Sequence, residues 1–148
     1  LTSLVYVIGI FGQMLGGRIA DKYELRSSYV LFHLATIPAL AAMAMLSEFG
    51  LLLAAMVYLL FGLGMQPIEN SLVAKLTPSR WRASAYGLKF VLTFGVGALA
   101  VKLVGGVERR WTLTGVFACV MALEIALVIV ATGLWLRSKR QLPRVANA

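Results

Sequence analysis

Five apolar stretches follow one another along the chain, and this succession constrains the fold more than any other feature. They cover residues 1–20, 29–46, 51–74, 86–104 and 113–136. Each is close to the roughly 20 residues that a helix needs to cross about 30 Å of hydrocarbon. A segment in lipid must close its backbone hydrogen bonds within a helix or within a barrel. These runs lack the alternating pattern of barrel strands, so five helices are expected. Composition points the same way. Hydrophobic residues make up 60% of the chain and charged residues 14%, with a mean hydropathy of +0.86. A soluble fold of this size exposes too much surface to hide so much apolar area. The fold class that follows is all-α, a polytopic helical membrane protein whose first partner is the lipid bilayer.

Polar segments punctuate the spans at 21–28, 47–50, 75–85 and 105–111, and a basic tail occupies 137–148. Pro38 interrupts the second span mildly. The net charge of +8 does not form a nucleic-acid-binding face, because the basic residues sit in short clusters between apolar runs. Eleven of them, including Arg18, Lys22, Arg26, Lys75, Arg80, Arg82, Lys89 and Arg137, fall on one side of a five-span topology. Only Lys102, Arg109 and Arg110 fall on the other. The positive-inside rule then places the first connection and the carboxy terminus in the cytoplasm, in the cell (inner) membrane. Trp81 and Trp111 stand at opposite boundaries, where amphipathic rings settle. The first stretch is apolar from Leu1, with no basic leader and no small-residue cleavage pattern, and is expected to be cut from a longer chain. Cys119 is single, so no intrachain disulfide can form.

The connection Gly17-Arg18-Ile19-Ala20-Asp21-Lys22-Tyr23-Glu24-Leu25-Arg26 resembles the loop signature of the major facilitator superfamily, G-x-L-A-D-[RK]-x-G-R-[RK]. Gly17, Ala20, Asp21, Lys22 and Arg26 match in register, and Ile19 stands for leucine. Glu24 replaces the second glycine of the signature and Leu25 replaces an arginine. The resemblance implies that Gly17, Asp21, Lys22 and Arg26 belong to a cytoplasmic latch that gates the transporter. An ordinary basic loop is the alternative. The stretch Pro78-Ser79-Arg80-Trp81-Arg82-Ala83-Ser84-Ala85-Tyr86-Gly87 resembles the family's connection after the fourth helix of a half. The resemblance covers the whole chain and implies helices eight to twelve of a twelve-helix protein, with the amino-terminal helices as missing partners. The fourth span carries Gly95, Gly97, Gly105 and Gly106 without a proline, unlike the drug antiporters' fifth helix. The implied function is secondary active transport of a small molecule by alternating access, coupled to protons, with efflux as the default direction. The alternative is a non-transporting scaffold or sensor that acts by lateral helix contacts.

Polar residues at membrane depth are the candidates for chemistry. Tyr58, Gly62, Gln66, Glu69 and Asn70 recur at three- and four-residue steps and so share one helix face. Of these, Tyr58, Gln66, Glu69 and Asn70 are the cavity or substrate candidates, with interhelical hydrogen bonding as the alternative. Glu124 lies in the middle of the fifth span, where an ionisable group is costly unless paired, protonated or hydrated. It is a proton-coupling candidate, or else bonds to a neighbouring helix. His33, near the start of the second span, is a second one, because imidazole titrates near neutral pH; a packing role is its alternative. Lys102 is expected to snorkel, and Gly12 and Gly16 to permit close helix packing. No phosphate loop, metal-ligand cluster or nucleophile constellation is present, so neither an enzyme nor a cofactor is expected.

Overall fold

The computed structural model describes residues 2–141; for residues 2–6, 111 and 138–141 only the backbone is described. Leu1 and residues 142–148 of the basic tail lie outside the described residues, as does the side chain of Trp111. The described chain is helical throughout: α1 (Thr2–Lys22), α2 (Leu25–Met45), α3 (Glu48–Leu76), a short 3-10 turn (Ser79–Trp81) and α4 (Arg82–Gln141). α4 is two helices joined at Thr112, whose φ of 64° and ψ of 178° break the helical path.

Among the described residues, four helices are long and apolar enough to cross a membrane: Leu25–Met45, Glu48–Leu76, and the two arms Ser79–Arg110 and Thr112–Arg137. α1 has 21 residues, as α2 does, and its side chains are described from Val7 onward.

The connections are shorter than the polar composition implies. The first is Tyr23 and Glu24 alone, and the second is Leu46 and Ser47. Asp21 and Lys22 complete the last turn of α1, and the polar run 25–28 forms the first turn of α2. Charged and hydroxyl residues are helix-compatible at a terminus, so polarity marked the membrane boundary and not the helix boundary. The segment 105–110, expected as a loop, is helix up to the break at Thr112. The helix also runs on through Arg137 to Gln141, into the expected tail.

α1 and α3 run parallel and cross at glycines. A Cβ on Gly12 would collide with the Leu60 carbonyl, and one on Gly16 with the Gly64 carbonyl. Gly64 in turn lies against the Gly12 carbonyl and the Phe32 ring. Lipid supplies no hydrophobic drive between helices, so such close backbone packing is what associates them. Beside this crossing, Phe32, Met65 and Ile68 form a buried core flanked by Ile19, Ala20, Leu25, Tyr29, Phe61 and Leu72. Phe32 meets Phe61 edge-on at 5.6 Å between centroids.

α2 packs on α3 on one flank and on the second arm of α4 on the other. Trp135 near the end of that arm reaches Glu24 at the start of α2, so the chain reverses direction at Thr112. Trp81, Arg82, Lys22 and Arg26 gather at this same basic end. The first arm stands apart: Leu88, Phe90, Val91, Leu92, Phe94, Val96, Leu99, Val101 and Leu103 are all exposed. Pro38 and Pro67 lie inside α2 and α3. Neither has an N–H to give, so the carbonyls of Leu34 and Leu63 lose their helical partners.

Candidate functional site

Three helices converge on one cavity of about 330 Å³. α2 supplies His33 and Thr36, α3 supplies Tyr58, Leu59, Gly62, Leu63, Met65, Gln66 and Glu69, and the second arm of α4 supplies Glu124. The three- and four-residue spacing on α3 therefore does line one cavity wall, and both proton-coupling candidates lie in the same cavity.

Glu124 is held by two residues of α2. Its Oε1 lies 2.6 Å from His33 Nδ1 and 2.5 Å from Thr36 Oγ1. The side chains of His33 and Glu124 are only 6% and 15% exposed. Thr36, 1% exposed, also places its hydroxyl 2.7 Å from the His33 carbonyl. One hydroxyl hydrogen serves one acceptor at a time. With Glu124 ionised, the hydroxyl donates to the carboxylate alongside an Nδ1–H. With Glu124 protonated, it is free to donate to the carbonyl. If Glu124 is protonated and donates to His33 Nδ1, the imidazole proton sits on Nε2. His33 Nε2 is buried without a hydrogen-bond partner, and the ring packs edge-on against Tyr29 at 4.5 Å.

The sequence suggested a lone His33 one turn into its span. Instead α2 begins at Leu25, His33 lies more than two turns in, and it is paired across 91 positions with Glu124. That distance in sequence is why the pair was not foreseen. Thr36 could have been found, since it follows His33 by three residues on the same face.

Asn70 is not part of the cavity lining. It turns to the first arm of α4, where its Oδ1 accepts from Lys89 Nζ at 2.7 Å and its carbonyl accepts from Tyr86 Oη at 2.7 Å. Lys89 also pairs with Glu69 at 2.9 Å. On its other side α3 meets α1 through Gln66, whose Oε1 accepts from Gln13 Nε2 at 3.2 Å. Lys89 and Tyr86 were legible only as a basic flank and an apolar start.

The loop-signature residues lie at the basic end. Gly17, Asp21 and Lys22 are in the last turns of α1, and Arg26 in the first turn of α2. Asp21 and Lys22 are exposed and bond to no side chain among the described residues. Gly17 leaves open space around a Cβ, so the close helix approach belongs to Gly12 and Gly16, which occupy a different face. Glu24 has a definite place: its carboxylate accepts from Ser27 Oγ at 2.7 Å and from Trp135 Nε1 at 3.1 Å. This joins the start of α2 to the end of the second arm. Arg26 lines a separate, mainly apolar cavity of about 420 Å³ with Tyr29, Leu72, Leu127 and Trp135. Among the described residues no group of three metal-ligating side chains occurs.

Apolar helices that enclose ionisable groups, with large aliphatic side chains turned outward, define a helical membrane protein. The model of the Major Facilitator Superfamily matches residues 1–101, and the chain belongs to that family of membrane transporters. No curated protein and no solved structure matches it.

Proposed function

We propose that this chain forms helices eight to twelve of a twelve-helix secondary transporter that moves a small molecule by alternating access. Glu124, with His33 and Thr36, carries the coupling proton. The observation behind this reading is the cavity itself, in which residues of three helices bring two carboxylates, an imidazole, a phenol and an amide together. An acid at membrane depth is costly to keep ionised without partners. Here His33 Nδ1 and Thr36 Oγ1 both lie within hydrogen-bond distance of the Glu124 carboxyl group, which gives the acid partners at that depth.

Tyr58, Gln66 and Glu69 face substrate on α3, while Asn70 supports the wall from behind. Gly17, Asp21, Lys22 and Arg26 lie at the cytoplasmic end as a latch between conformations. The basic end faces the cytoplasm of a cell (inner) membrane, because basic connecting residues are retained there. Efflux driven by the proton gradient is the direction proposed.

Two experiments test this on the full-length transporter. The first places a cysteine at Gln66 in a C119A background and treats cells with a membrane-impermeant thiol reagent. Labelling supports a water-filled pathway, and complete protection in every condition favours a closed scaffold. The second measures uptake of ethidium into energised everted vesicles. Wild-type uptake should collapse with a protonophore, whereas Glu124→Gln should lose gradient-driven uptake and keep ethidium exchange. Gradient-driven uptake intact in Glu124→Gln would remove Glu124 from the coupling role.

A further inference from the structure

We propose that the cavity takes an organic monocation, a protonated amine with an apolar body, which replaces Lys89 as the partner of Glu69. This rests on the transporter reading above and names the substrate class of the same cavity.

Charge comes first. The cavity lining includes two carboxylates, Glu69 and Glu124, and no lysine or arginine. Glu124 already has His33 and Thr36. Glu69 has Lys89, which does not line this cavity. Lys89 instead lines a second one, of about 590 Å³, between α3 and the first arm of α4. Glu69 borders both spaces, so its carboxylate is reached by Lys89 from one side and by a cavity occupant from the other.

The exchange strands no charge. The Glu69 side chain is partly buried, 32% exposed, and its carboxylate keeps a cationic partner when it passes from one ammonium to another. Lys89, when it leaves Glu69, keeps the Asn70 Oδ1 acceptor at 2.7 Å and has the larger cavity to move into.

The remaining lining suits the same ligand. Tyr58 offers an aromatic face for a cation, and Leu59, Leu63 and Met65 offer apolar walls. His33 also lines the cavity, and its Nε2 is buried without a partner. An anion would meet two carboxylates and no fixed cation. The volume falls at the lower end of small-molecule sites, roughly 300–1,000 Å³.

The test is calorimetric titration of the detergent-solubilised full-length transporter with hexylammonium, and with hexanoate as the opposite charge. Hexylammonium should bind and hexanoate should not. Lys89→Met removes the competing ammonium and should tighten hexylammonium binding about tenfold, while Lys89→Arg should stay near wild type. Glu69→Gln should abolish binding. Size-exclusion profiles confirm that each variant is folded. Equal or weaker binding by a folded Lys89→Met, binding of hexanoate, or no hexylammonium binding to wild type would each overturn the proposal. Binding needs no gradient, so failure here is separable from failure of proton coupling, which the vesicle assay reads.

Discussion

At the scale of single residues, the pairing of Glu124 with α2 is the feature with the largest consequences. His33→Ala removes one partner of a nearly buried carboxyl group and leaves Thr36 to hold it. Removing one member of a buried pair costs about 3–5 kcal/mol. A group that can protonate escapes part of that cost, so a loss of about 2 kcal/mol is expected, read by thermal unfolding in detergent. Thr36→Val keeps the shape and removes the hydroxyl. Loss of one hydrogen bond to a charged group costs about 1.5–3 kcal/mol, and the same melting experiment checks it. Glu124 was legible in the sequence as an acid at membrane depth, and His33 as a titratable group. Their union was not, because nothing local connects a position in α2 with one in the second arm of α4.

Helix packing divides the glycines into those that matter and those that do not. Gly16→Ala places a methyl group against the Gly64 carbonyl and must push α1 away from α3. Overpacking of this kind costs about 1–3 kcal/mol, measurable as a lower melting temperature. Gly17→Ala, its neighbour, meets open space and should be neutral or gain up to about 1 kcal/mol from helix propensity. Equal effects of the two would contradict the crossing described. The break in α4 offers a complementary test. Thr112 has a φ of 64°, in a backbone region that glycine alone occupies easily, and such strain costs about 1–3 kcal/mol. Thr112→Gly should therefore raise the melting temperature. From sequence, run length identified the helices, yet polar residues at their ends hid where they stop. The four residues at 25–28 read as a loop and form a helical turn, because a membrane boundary and a helix terminus are different physical limits.

For the whole molecule, sidedness is the property to measure. The connection around Tyr23 and the 3-10 turn at Ser79–Trp81 lie at the basic end, and the Leu46–Ser47 link and Thr112 at the other. Single cysteines at Tyr23 and Ser47, in a C119A background, should show opposite access to an impermeant reagent applied outside intact cells. Only Ser47→Cys is expected to label. Labelling of Tyr23→Cys instead would invert the topology. The expected orientation rests on the charge distribution alone. The relative placement of the helices was not readable, because apolar surfaces alike in lipid carry no pairing information. The glycine contacts of α1 with α3 and the polar contacts of α4 with α2 and α3 supply that information, and their partners are far apart in the chain.

The separation of 91 positions between His33 and Glu124 also bears on how the protein is made. Ribosomes add about 5–20 residues per second, so α2 waits roughly 5–18 seconds in the membrane before the helix bearing its carboxylate partner is synthesised. α2 is also the least apolar of the four candidate spans, with a hydropathy of 1.6 against 2.5 for the helix that carries Glu124. The nascent α2 thus spends its first moments with an imidazole and a hydroxyl still lacking that partner. α3 follows after two residues and covers Phe32. The most apolar helix thus arrives last to complete the cluster.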